Sequence, residues 1–143
     1  MKTSMPVNPE FVEFNVQWLA GFFDGEGSIG IYPRNANRNK TIRYYVLVVS
    51  LAQSGDYGEW ILKNLQQKYG GSVYSQIKSN HKLMWKWNIC AKKAFSFLCE
   101  IEPFLIIKRS QAITGQFFMK LPTKRVGDSN ADAFYHQIKI EKE

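Results

Sequence analysis

The chain has 143 residues, enough for one compact domain with a buried core and too few for two large ones. Its net charge of +7, from 19 basic and 12 acidic residues, points to a polyanionic partner, while two cysteines and two histidines are too few and wrongly spaced for a disulfide framework or a zinc site. No apolar stretch approaches the roughly 18 residues a membrane helix needs, and Met1–Glu10 lacks a basic region followed by an apolar core, so a soluble intracellular protein is expected, in a prokaryotic cytoplasm or an organelle matrix.

In chain order, Phe11, Phe14, Trp18 and Phe22, with Val12, Leu19 and Phe23 beside them, recur at a spacing of three to four and predict a helix over about 11–24. The run Gly25-Glu26-Gly27-Ser28-Ile29-Gly30 after it has the letters of a dinucleotide fingerprint, but that motif needs a strand before the glycines and a helix after them, and here the order is reversed. A calcium loop starting at Asp24 fails as well, since its twelfth position holds Asn35 instead of Glu. Strands are predicted over about 28–33 and 42–53, joined by a polar loop that carries Arg34, Asn35, Asn37, Arg38 and Lys40, all able to donate to phosphates or base edges. A helix over about 57–69 leads to strands over about 72–78 and 82–89, turned at Ser79-Asn80. In the last strand Leu83, Trp85, Trp87 and Ile89 alternate with Lys82, Met84, Lys86 and Asn88, giving an apolar face that takes both tryptophans into the core and a basic face opposite. Helices over about 92–102, 106–120 and 130–141 complete the chain, the last capped by Ser129 or Asp128. The order is αββαββα with extra C-terminal helices: one α+β domain over 1–143, with a core over about 11–121 and a helical extension over about 122–143.

The charge is unevenly placed. Between Glu26 and Asp56 there is no acid, only Arg34, Arg38, Lys40 and Arg43; between Glu59 and Glu100 there is again none, with Lys63, Lys68, Lys78, Lys82, Lys86, Lys92 and Lys93. A four-stranded antiparallel sheet cleared of acids on one face and covered by helices on the other suits a nucleic-acid groove, because each neutralised phosphate releases condensed counterions.

The first helix ends in small residues. Ala20, Gly21 and Gly25 allow close approach of a second helix, and Gly21-x-x-x-Gly25 puts two glycines on one face. Such a pairing brings two Glu26 carboxylates together, which is costly unless a cation bridges them, and hard oxygen ligands of this kind suit Mg²⁺.

Leu19-Ala20-Gly21-Phe22-Phe23-Asp24-Gly25-Glu26-Gly27 resembles the nonapeptide of the LAGLIDADG homing endonucleases. The αββαββα order, Gln53 at the end of the second strand, Gly70-Gly71 after the second helix, and Pro103-Phe104-Leu105 followed by Lys108 and Gln111-Ala112 recur in register with it, so the likeness covers roughly 11–121. It implies a site-specific, divalent-metal-dependent endonuclease that breaks both strands of a long near-palindromic DNA target. Glu26, with the Gly25 carbonyl, would bind Mg or Mn, and Gln53 and Lys108 would position water and stabilise the transition state. Asp24 belongs by the same likeness to the helix end. The basic residue the family often carries shortly after the Gln is missing, since Ser54-Gly55-Asp56-Tyr57-Gly58 stands there; Arg43 and Lys78 are candidate replacements. One motif only is present, and single-motif members work as homodimers, with Trp18, Ala20, Gly21, Asp24 and Gly25 expected in the seam. The likeness also sets which residues face the DNA: Ser28, Gly30, Tyr32 and Arg34; Arg43, Tyr44, Val46, Val48 and Ser50; Tyr74, Gln76 and Lys78; and Lys82, Met84, Lys86 and Asn88, together with the loop residues above. The alternatives are an RNA-binding intron maturase and a non-cleaving DNA-binding protein of the same fold; the intact Glu26 and Lys108 disfavour both.

Overall fold

The computed structural model describes residues 13–36, 38, 39 and 41–143. Asn15 begins the first helix: its Oδ1 accepts from the amides of Gln17 at 2.9 Å and Trp18 at 3.1 Å, two donors a helix start leaves unpaired, so α1 covers Val16–Glu26. The expected start near residue 11 is thereby corrected, because Glu13 and Phe14 precede the cap; Phe11 and Val12 lie outside the described residues.

Strands β1 (Gly27–Asn35) and β2 (Arg43–Ser54) form the first hairpin, and α2 (Gly55–Tyr69) leads to the second, β3 (Ser72–Ile77) and β4 (Leu83–Cys90). The strand order is β1-β2-β4-β3, every pair antiparallel, so the two hairpins join through β2 and β4. Alternation then divides the side chains. Ile29, Ile31, Tyr45, Leu47, Val49, Leu51, Trp87 and Ile89 point into one core with Leu19, Phe23, Phe97, Leu98 and Phe118 from the helices. Trp87 is fully buried and donates from Nε1 to the Gly70 carbonyl at 2.9 Å. Gly71, at φ 89°, has to be glycine for steric reasons as well, since a Cβ would run into the Asn88 carbonyl.

Helix α3 (Ala91–Ile101) passes into a 3-10 turn over Glu102–Phe104, and α4 spans Arg109–Met119. The expected helix over 106–120 therefore starts three residues late. Its first residues are held open by α1: the Asp24 carboxylate accepts from the amides of Ile106 at 2.7 Å and Lys108 at 3.0 Å.

Helix α5 (Ser129–Glu141) is capped by Asp128, which accepts from the Ala131 amide at 3.0 Å, and it adds Ala131 and Ile138 to the same core. It is clasped to β2 through Tyr45, which stacks on Tyr135 at 4.9 Å and donates to Asp132 at 2.6 Å. That bond, followed by the Gly127 amide, holds the Asp132 carboxyl below its ordinary value, so this contribution to stability is present above the unfolded carboxyl range and is lost as pH falls through the folded value. Burial, then the same bond, pushes the Tyr45 phenol from 10.0 to about 12, a stabilisation present below the ordinary value and lost as pH rises toward the folded one. Tyr45→Phe is expected to raise the Asp132 titration toward the ordinary carboxylate range, as read by carboxyl-carbon NMR. An unmoved titration would leave the Gly127 amide as the controlling contact.

No helix among the described residues is long and apolar enough to cross a membrane.

Candidate active site and nucleic-acid interface

Helix α1 runs straight into β1, so its last carbonyls have no intrahelical donor left. Lys108 fills one of them: its Nζ donates to the Asp24 carbonyl, while its backbone amide is tied to the Asp24 carboxylate. A lysine at a helix C-terminus also meets the negative end of the helix dipole. Glu26, two residues on, is exposed and makes no hydrogen bond or ion pair among the described residues. A bare carboxylate beside helix-end carbonyls is a hard-oxygen donor set that fits Mg²⁺, which keeps several waters and takes few protein ligands. It is also incomplete: no group of three or more His, Cys, Asp or Glu that could hold a metal occurs among the described residues.

Gln53 lies at the same end of the sheet. The β1–β2 pairing closes at Gly27↔Leu51, which puts Glu26 and Gln53 just beyond the last pair. Alternation turns Gln53 to the helix side, half-buried, where a Cβ at Gly58 would stand 2.8 Å from its own. Residues 54–58 form the start of α2, with Ser54 at the cap position and Asp56 in the first turn, an acid suited to a helix N-terminus. Of the two candidate replacements for the missing basic residue, Arg43 is excluded: it begins β2, ten residues from Gln53, or about 33 Å along the strand. Lys78 flanks the β3–β4 turn, at the Glu26 end of the sheet but on its outermost hairpin.

The sheet face away from the helices forms an open trough of about 700 Å³. Cross-strand register places Ser28 opposite Ser50, Gly30 opposite Val48, Tyr32 opposite Val46 and Arg34 opposite Tyr44 on this face; β4 brings Met84, Lys86 and Asn88, and β3 brings Tyr74 and Gln76. Its charged lining is Arg34, Lys86 and Lys93, with no acid. The Arg34 guanidinium sits 5.5 Å from the Tyr32 ring centre, and Asn88 donates to the Tyr74 hydroxyl at 3.2 Å. Lys78 and Lys82 are exposed at the turn, and Arg38 is exposed in the β1–β2 loop; Asn37 and Lys40 lie outside the described residues. Asn35 and Arg43 are a correction. They pair with each other, and alternation directs both to the helix side, where the Arg43 charge is close enough to Tyr45 to oppose, slightly, the rise of its phenol pKa. Ser72, Cys90 and Lys93 also line the trough and were missed by sequence reading: Ser72 lies opposite Asn88, Cys90 opposite Val48 at the end of β4, and Lys93 in the first turn of α3.

Two residues expected in the seam are used inside the chain instead. Ala20 is fully buried, and Asp24 is 8% exposed with its carboxylate bonded as above. The free face of α1 carries Trp18, stacked between Phe14 at 5.7 Å and Phe22 at 5.2 Å, with Gly21 and Gly25, where an added Cβ would meet nothing. Ile106 and Ile107, 86% and 70% exposed, project from the loop that Asp24 holds against α1.

An acid at the end of a glycine-faced helix, beside an antiparallel sheet with a concave basic face, defines the α+β architecture of the homing-endonuclease fold. The model of the LAGLIDADG endonuclease family matches residues 19–102, and the chain belongs to that family. Among solved structures it is similar to the homing endonuclease I-CvuI, crystallised on DNA with magnesium and with calcium, at 19% and 22% identity over 88% of this chain and 80% of that one, TM-scores 0.69 and 0.68. It is similar also to the homing endonuclease I-TnaI, 18% identical over 91% of this chain and 84% of that one, TM-score 0.60. The LAGLIDADG endonuclease I-SmaMI bound to cleaved DNA is 18% identical over 90% of this chain but only 41% of its own, TM-score 0.61. No curated protein sequence matches the chain.

Proposed function

We propose that the protein is a site-specific DNA endonuclease that cuts both strands of a near-palindromic duplex as a homodimer with Mg²⁺. The observation that carries the reading is Glu26, an acid at the end of α1 with no partner among the described residues, at one end of a sheet whose open face holds an acid-free basic trough. The trough would follow a duplex groove, with Lys86, Arg34 and Lys93 neutralising phosphates. Glu26 and the Gly25 carbonyl would hold the cation, which supplies activation of water and neutralisation of charge on the leaving oxygen. Lys108, held at the Asp24 carbonyl, would place a positive charge beside the phosphate as it gains negative charge, and Gln53 would orient the attacking water. A library of duplexes incubated with Mg²⁺ tests this: one cut sequence supports it, whereas RNA binding without cleavage of any duplex supports the maturase instead.

The dimer is supported by the free face of α1, since one motif per chain supplies one acid and a twofold seam sets Glu26 opposite its copy. Gly21→Leu isolates this contact. The added side chain meets nothing within the chain, and leaving glycine favours the helix by roughly 1 kcal/mol, so the protomer should be at least as stable. Sedimentation should nonetheless show the wild type as a dimer and the variant as a monomer at micromolar concentration. A variant that stays dimeric would place the seam elsewhere.

A further inference from the structure

Residues 124–126 lie beyond the segment matched by the family model and run beside β2 where β4, whose pairing with it begins at Val48, leaves its edge open. The Tyr45 amide donates to the Lys124 carbonyl at 2.8 Å and the Val126 amide to the Arg43 carbonyl at 3.0 Å. Tyr44 and Arg125 are thus opposed in an antiparallel bridge flanked by its two hydrogen bonds, the pairing in which side chains share a face and stand closest. Tyr45 identifies that face. It packs against α5, so alternation sends Tyr44, and Arg125 with it, to the trough side. On its other flank Tyr44 pairs with Arg34.

One row therefore reads Arg34, Tyr44, Arg125 across the sheet, with its two guanidinium-bearing strands about 10 Å apart. It lies at the end of the sheet remote from Glu26, about 23 Å along β1. Arg125 is exposed and makes no ion pair among the described residues. The acids nearest in sequence are occupied: Asp128 caps α5, and Asp132 accepts from Tyr45 and from the Gly127 amide.

We propose that Arg125 is a phosphate-contacting residue, and that the segment before α5 widens the DNA face by one strand at the outer end of each half-site. The proposal rests on the duplex-binding reading above. Tyr44 spaces the two guanidinium groups, and the fork of Arg125 matches a phosphate's oxygens.

The test is a salt titration of binding to a mixed-sequence duplex of about three helical turns, comparing wild type, Arg125→Ala, Arg125→Lys and Lys86→Ala. Arg125→Ala removes one phosphate contact from each protomer, two per dimer, which should lower the slope of log K against log salt by about 1.8 and near 0.1 M salt weaken binding roughly sixtyfold. Arg125→Lys should restore most of the slope, because a phosphate accepts a point charge. The bridge bonds are backbone bonds, so thermal melting of both variants should match the wild type. Wild-type slope and affinity in Arg125→Ala, with Lys86→Ala impaired, overturns the Arg125 assignment alone. A wild type with no salt-dependent duplex binding overturns the duplex reading and this inference together.

Discussion

Glu26→Gln is expected to abolish DNA cleavage while leaving the fold and DNA binding intact. The side chain is exposed and bonds to nothing among the described residues, so the exchange costs no contact within the chain. It removes one negative charge from each protomer at the point where phosphates approach. Binding in the absence of Mg²⁺ should then be at least as tight as that of the wild type, because the repulsion between the carboxylate and the phosphates is gone. The lost carboxylate is the hard-oxygen ligand proposed for the cation, and its absence should cost several kcal/mol of transition-state stabilisation, on the order of a thousandfold or more in rate. Cleavage and gel-shift assays on one duplex separate the two effects. A variant that cuts near the wild-type rate would remove Glu26 from the metal site.

How much of this could be read in the sequence follows from the range of the interactions involved. The strand faces were legible, because alternation is local: Trp85 and Trp87 against Lys86 and Asn88 fix which side of β4 meets the helices, and the register carries that parity to the neighbouring strands. Helix ends set by short caps were legible in part, at Asp128 but not at Asn15. What failed came either from local signals passed over, as at Asn15 and Arg43, or from partners far away in sequence. Arg43 looked like one more groove arginine, but parity within β2 turns it toward α5. Ala20 looked like a seam residue, since small size suits both a helix contact and a core; only tertiary packing, which buries it completely, decides between them. The start of α4 was misplaced for the same reason. Nothing within 105–108 forbids a helix; the carboxylate that prevents one belongs to α1, more than eighty residues earlier.

That carboxylate gives the second large effect. Asp24→Ala should destabilise the protein and lower cleavage together, unlike Glu26→Gln, which should lower cleavage alone. Asp24 accepts two amide bonds, at 2.7 and 3.0 Å, from the loop that carries Ile106, Ile107 and Lys108. Charged acceptors make the stronger class of hydrogen bond, and the two amides are only partly reachable by water, so their loss should cost about 2–4 kcal/mol. Asp24→Asn is the finer probe. An amide keeps one acceptor oxygen but turns an NH₂ toward the second amide donor, so about half of that cost should remain. Activity should fall in proportion to the freed loop, because Lys108 is anchored there through both its amide and its Nζ. Urea denaturation midpoints read beside cleavage rates decide the role. Wild-type stability in Asp24→Asn combined with lost cleavage would make Asp24 an acid of the reaction, because a carboxylate that only clasps a loop cannot be neutralised without loosening it.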